Sequence, residues 1–237
     1  MFETTVRDGV CRLARPNTRW LSTGHDGGEC RAPAAYNCTV PTGWERTDLS
    51  TYVDDRLADA GFDAPGPTLL TGVDQRHARR ARLGPVEAVA TAGVTNPARL
   101  PVDHNPERRD GDGTLTSVAE ADHAGTVNVV VGTTRSLAAG ALPNLLTVAA
   151  EAKAATLLEL VGVPGTTTDA VVAACDPTGD PAKFSGSATP VGAAARACVR
   201  DAVAASLRSR HPDGEYEASS GVVTDDRATV TAVASDD

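Results

Sequence analysis

Apolar residues along this chain recur with two spacings, and the switch between them marks the elements. At the start, TTV and VCRL flank Asp8-Gly9, a dipeptide suited to a type I′ turn, so residues 2–14 are predicted as a hairpin. RWLST (19–23) predicts a strand running into the glycine-rich loop GHDGGE (24–29), and AAYNCTVP (34–41) predicts the next strand. PTLLTGV (67–73) and VEAVATAGV (86–94) are apolar runs of strand length, each ending near a glycine. TVNVVVGT (126–133) alternates, which places Asn128 on the face opposite Val127, Val129 and Val131. AVVAAC (170–175) predicts a further strand, and SGVVTDDRATVTAV (220–233) a closing hairpin.

Three segments carry the longer period. A helix is predicted over 49–60, with Asp48 or Ser50 to cap it and Gly61 where a C′ glycine belongs. A long one covers 139–161; its alanines and leucines surround it almost completely, which predicts burial. A third covers 190–208, with Thr189 as N-cap and Pro190 in the first turn. Residues 98–123 are polar, charged and rich in turn formers. Hairpins at the ends and βαβ-like units in the middle predict a single α/β or α+β domain: a mixed β-sheet flanked by helices, with terminal β-hairpins and an acidic surface insertion at about 99–123.

Charge narrows the partners. Asp and Glu number 31 against 22 Lys and Arg, a net charge of −9, and the only lysines are Lys153 and Lys183. An acidic, lysine-poor, alanine-rich chain suits multimolar salt, where screening is strong. It argues against nucleic acid as a partner. The one basic run, HARRARL (77–83), reads as a solvated helix face or an anion contact. The first residues carry charge from Glu3 onward, and no stretch of about 18 apolar residues occurs, so a cytoplasmic protein without a membrane partner is expected. The five cysteines are odd in number and dispersed, which predicts reduced thiols. His104, His123 and His211 sit in polar segments, and no metal-ligand spacing is present, so no metal site and no cofactor is implied.

Several polar residues stand where chemistry could use them. On the long helix, Asn144, Thr147 and Glu151 share one face, and Lys153 points elsewhere. A charge inside an apolar helix must be paired or titrate abnormally; Glu151 is the candidate general base and Lys153 its electrostatic partner, with a plain ion pair as the alternative. Asn96 follows a strand, and Asn128 lies among valines, where a buried amide needs partners. Thr166, Thr167, Thr168 and Asp169 offer hydroxyls, a carboxylate and backbone donors, or a self-bonded turn. The loop with Ser185, Gly186 and Ser187 opens a helix and either caps it or holds an anion. Thr23, Gly27 and Gly28 lie in a loop that could approach a bulky ligand closely, or be an ordinary turn. These residues fit hydrolysis or binding of a polar small molecule and name no substrate.

The order and spacing of WLSTGHDGG, AAYNCTVP, TAGVTNP, GTVN, EAKAATL, GTTTDAVV and SGSATPVG, spread over most of residues 18–208, resemble the adenosylcobinamide amidohydrolase (CbiZ) family, in a form suited to a salt-loving archaeon. The resemblance implies hydrolysis of adenosylcobinamide to adenosylcobyric acid and 1-amino-2-propanol, in corrinoid salvage for coenzyme B12 synthesis. The cobalt then belongs to the substrate. Placed on these positions, Glu151 would be the base and Lys153 would tune it; Asn96, Asn128 or the Thr166–Thr168 backbone would hold the oxyanion, and Thr167 and Asp169 would complete the catalytic set. Thr23, Gly27, Gly28, Thr166, Thr168, Ser185, Gly186 and Ser187 would bind substrate. A threonine nucleophile is the alternative mechanism. A non-catalytic corrinoid binder, or a hydrolase of another small amide, remains the competing function, and homo-oligomerisation is left open.

Overall fold

The computed structural model describes residues 1–41, 48–101, 125–214, 216, 221–224 and 228–232. In chain order the elements are β1 (Glu3–Arg7), β2 (Val10–Ser22), β3 (Gly28–Thr39), α1 (Leu49–Asp59), β4 (Thr68–Thr71), β5 (Arg79–Leu83), β6 (Val86–Ala92), β7 (Ala98–Arg99), β8 (Val127–Thr133), β9 (Ser136–Leu137), α2 (Ala141–Val161), β10 (Ala170–Cys175), β11 (Pro181–Ala182), α3 (Pro190–Arg210) and β12 (Val222–Val223). The main sheet runs β4-β3-β2-β10-β8-β6-β5, with β1 on β2. It is mixed: β3/β4 and β8/β10 are parallel, and the other neighbours are antiparallel.

One strand shapes the sheet. β2 has 13 residues, and its pairing with β3 slips between Ala14 and Thr18, where Asn17 takes φ 54°. Extra residues on one strand bend it and raise its twist. Beyond the bulge, β2 pairs with β10; before it, with β1. The half made of β1, the start of β2, the end of β3 and β4 therefore curls over one face of β10-β8-β6. Between the two layers lie Phe2, Leu13, Trp20, Leu69, Val130 and Val172, with the Phe2 and Trp20 rings stacked at 5.3 Å. On the opposite face, α2 and α3 bury Val127, Val129, Val131, Leu142, Leu145, Val199 and Leu207. α1 and the turn after it cover the outside of the curled half through Leu57, Ala60 and Phe62, against Val10, Tyr36 and Cys38.

The N-terminal hairpin forms through Asp8 and Gly9, both at positive φ (46° and 75°), as a type I′ turn requires. Thr189 caps α3 by accepting from Gly192 N at 3.1 Å. Three expectations need correction. HARRARL is not helical: Arg79–Leu83 is an edge strand in a tight hairpin with β6, and Arg80 and Arg82 both bond the fully buried Glu87, which also accepts from the backbone N–H of Phe2. Residues 220–233 form no hairpin among the described residues; Val222–Val223 pairs in parallel with Ala98–Arg99, and 228–232 carry no strand. The α2 helix is not enclosed: Asn144, Thr147, Glu151 and Leu158 face solvent. The expected insertion lies almost wholly outside the described residues. Among the described residues, no helix is long and apolar enough to cross a membrane.

Candidate active site

Where β8 and β10 begin, four remote segments meet. The turn 162–169 brings Thr167 N to Asn96 O at 3.2 Å, Ala98 N donates to Gly165 O at 2.9 Å, and Val222 N donates to Pro97 O at 2.9 Å. Asp169 fastens this cluster. Its Oδ1 accepts from Val127 N (2.8 Å) and from the Thr166 hydroxyl; its Oδ2 accepts from Thr166 N (3.0 Å) and from the Lys153 ammonium. Both side chains of the pair are about nine-tenths buried, Lys153 at 11% and Asp169 at 9% exposure. A carboxylate with two donors on each oxygen has no lone pair left for a substrate proton. Gly165 is required here, because a Cβ would come within 2.6 Å of Asp169 Oδ2.

Beside this cluster a cleft of about 460 Å³ opens between the end of the curled half and the starts of β8 and β10. Its polar lining is Thr23, His25, Thr71, Thr126, Thr168 and Asp169; Val40, Leu49 and Leu70 supply apolar wall. Thr126 Oγ and Thr168 Oγ lie 2.7 Å apart. Two hydroxyls sharing one hydrogen bond keep one proton free to donate outward. Thr23 Oγ is committed to β10, accepting from Val171 N at 2.9 Å and donating to Val171 O at 3.3 Å. His25 forms the ridge between this cleft and a second one of about 420 Å³, lined in part by Gly27, Gly28, Cys30 and Ser50. Its Nε2 lies 3.1 Å from Ser50 Oγ and 3.5 Å from an Asp26 carboxylate oxygen.

The structure thus brings together Thr23, Thr166, Thr168, Asp169 and Lys153, with Gly27 and Gly28 next door. Asn96 lies just behind, donating to Thr167 Oγ and so fixing that threonine, while its own buried Oδ1 has no partner among the described residues. Asn128 lies beneath the cleft. Its two amide hydrogens go to Asn37 Oδ1 and Leu70 O, both at 2.9 Å, and Asn37 in turn donates to Thr91 Oγ at 2.9 Å. That commitment leaves Asn128 no hydrogen for an oxyanion; it stitches β8 to the curled half. Glu151 needs a larger correction in placement. It is not enclosed among alanines but is 56% exposed on the outer face of α2, 3.6 Å from Arg196, and Lys153 pairs with Asp169 instead. Ser185, Gly186 and Ser187 sit at the other end of the sheet, by the N-termini of α2 and α3, where Ser185 donates to Ala141 O at 2.6 Å and accepts from Asn144 Nδ2 at 3.0 Å.

The sequence alone gives His25 no catalytic role, only a possible approach to the substrate's cobalt; the signal available is its place in STGHDGG, a loop suited to ligand approach. Among the described residues, no group of three or more His, Cys, Asp or Glu could hold a metal ion.

Residues 2–215 match the family model described as adenosylcobinamide amidohydrolase. A Halobacterium salinarum protein of that name is 58% identical over 236 residues, covering 97% of this chain and 99% of its own. A Methanosarcina mazei protein of the same name is 26% identical over 200 residues, covering 80% and 90%. The solved PH0078 protein of Pyrococcus horikoshii overlays at a TM-score of 0.43 with 11% identity, over 86% of this chain and 78% of its own.

Proposed function

The chain belongs to the adenosylcobinamide amidohydrolase family, and from that premise we propose that its amide is cut in the cleft between Thr23, His25, Thr126 and Thr168. The reaction is hydrolysis of the aminopropanol amide of adenosylcobinamide, which gives adenosylcobyric acid and 1-amino-2-propanol in corrinoid salvage. The observation that carries the location is the convergence of three remote segments on one opening: a loop after β2, and the residues leading into β8 and β10.

A whole corrinoid is bulkier than a cleft of about 460 Å³, so the amide arm enters it and the ring lies across the His25 ridge, against the neighbouring pocket of Gly27 and Gly28. Glycines leave that floor free of side chains. His25 takes a proton from water as the water oxygen attacks the amide carbon. The carbonyl oxygen gains charge and accepts from the free hydroxyl of the Thr126–Thr168 pair. The C–N bond then breaks, and His25 returns the proton to the leaving amine, so water is consumed and an acid and an amine result. Lys153 and Asp169 position the threonine turn and leave the proton transfer to His25. Asn96 supports Thr167 from behind. The base role thereby passes from Glu151 to His25.

The test is chromatography with mass detection of adenosylcobinamide incubated with the protein in molar potassium chloride. Adenosylcobyric acid and aminopropanol are expected from the native chain. His25→Gln should lower kcat by roughly 10²–10⁴, and Glu151→Gln should leave it within about twofold. Full turnover by His25→Gln, or loss of turnover in Glu151→Gln, overturns the assignment. Corrinoid bound but recovered unchanged would make the chain a binder.

A further inference from the structure

The outward face of α2 and α3 has a composition unlike the acidic whole. The two helices, 21 residues each, follow β8 and β10, run the same way, and lie side by side. Between them is a groove of about 540 Å³ whose floor is alanine: Ala152, Ala155, Ala193, Ala197 and Ala204. Its walls carry opposite charge. The α2 wall presents Glu151 and Glu159; the α3 wall presents Arg196, Arg200 and Arg208, with Asp201 beside Arg200. Three acids thus balance three arginines on a chain whose net charge is −9. Leu158, 52% exposed, borders the same face.

We propose that this face docks a second copy of the chain, about a two-fold axis running along the helices. The charge pattern selects that axis. A two-fold along the helix direction sets α2 of one copy over α3 of the other at the same height, so the glutamates of each meet the arginines of its mate. A two-fold across the helices would set α2 over α2 and oppose glutamate with glutamate. Heights match because Glu151 and Arg196 already face each other across the groove at 3.6 Å. Small side chains on the floor let the four helices approach closely, as ridges into grooves require. Two helices of about 31 Å side by side offer about 600 Å² per copy, which meets the lower end of the specific-interface range. The interface is isologous, and it lies on the helical face of the sheet, away from the cleft at the starts of β8 and β10.

Sedimentation velocity in molar and in 0.2 M potassium chloride tests this. The native chain is expected as a dimer at micromolar concentration. Ala197→Trp fills the floor from a part-buried position on α3 and should raise the dimer Kd at least tenfold at both salts. Glu159→Arg should weaken the dimer at low salt and much less at molar salt, where the Debye length is ~3 Å. Adding Arg200→Glu to Glu159→Arg should restore it. A monomeric native chain, or a dimer indifferent to Ala197→Trp, overturns the proposal. Amide hydrolysis by the monomeric variant is expected to persist, which separates this interface from the active site.

Discussion

The ammonium of Lys153 is bonded to the carboxylate of Asp169, and through that pair a helix, a turn and the first residue of β8 are held at one point. Removing one member leaves the other charged and buried, which costs about 3 kcal/mol or more. Lys153→Met and Asp169→Asn should each lower Tm by roughly 6–12 °C for a chain of this size. The double variant should recover much of that loss. Additive losses in a double-mutant cycle followed by thermal melts would refute a direct pair.

Asn128 is a stitch between layers. Asn128→Leu deprives a buried acceptor, Asn37 Oδ1, and a part-buried one, Leu70 O, of their donor. Unsatisfied buried polar groups cost about 1–3 kcal/mol each. The expected result is a lower denaturation midpoint, with kcat in the remaining folded fraction changed by less than about tenfold. A stable Asn128→Leu chain with no turnover would return the residue to the reaction.

The thiols divide sharply. Burial pushes Cys11 and Cys198 up to about 11 and Cys38 up to about 12, and raises Cys175; Cys30 is raised as well, by partial burial and Glu29, but it alone of the five is exposed. Only thiolates react, so at pH 8 the native protein should take up one equivalent of N-ethylmaleimide, at Cys30. Cys30 lines the pocket assigned to the corrin ring, so adenosylcobinamide should slow that labelling several-fold. Peptide mass mapping decides it; equal rates with and without corrinoid would place the ring elsewhere.

Desolvation, with Arg76 next, holds the His77 imidazole below its ordinary value of 6.5. The folded state therefore favours the neutral ring. Its contribution to stability is complete above about pH 6.5 and is lost as pH falls from there through the lower folded value. The ring is only part-buried, beside Ser209, so the slope should be shallow. His77→Gln should flatten the fall of Tm between pH 7 and 5; an unchanged profile would assign that fall to other groups.

Much of the fold could be read locally. The Asp8-Gly9 turn, the Thr189 cap and the side on which Asn128 lies each follow from a few neighbouring residues. What could not be read depends on contacts far along the chain. Arginine, alanine and leucine favour helix, yet Arg79–Leu83 is a strand, because Glu87 on the next strand draws in Arg80 and Arg82. The 3.6-residue period grouped Asn144, Thr147 and Glu151 correctly. It could not tell which face meets water, since alanine is tolerated on both. Lys153 was singled out as a lone ammonium on an apolar helix, but its partner Asp169 is 16 residues away, beyond a turn. His25 joins Thr126 and Thr168 only after the sheet curls, and the bend at Asn17 that curls it leaves a faint trace in sequence, the pair Pro16-Asn17.

That bend governs how the cleft can move. β2 and β3 each contribute to both halves of the sheet, and the Asn37–Asn128 bond ties the layers below the opening. The two walls are thus one continuous fabric rather than two bodies on a hinge, and the enzyme cannot work like a closing clamshell. At the proposed site, the amide arm would therefore meet walls already formed, and the cut corrinoid would leave by the mouth through which it entered.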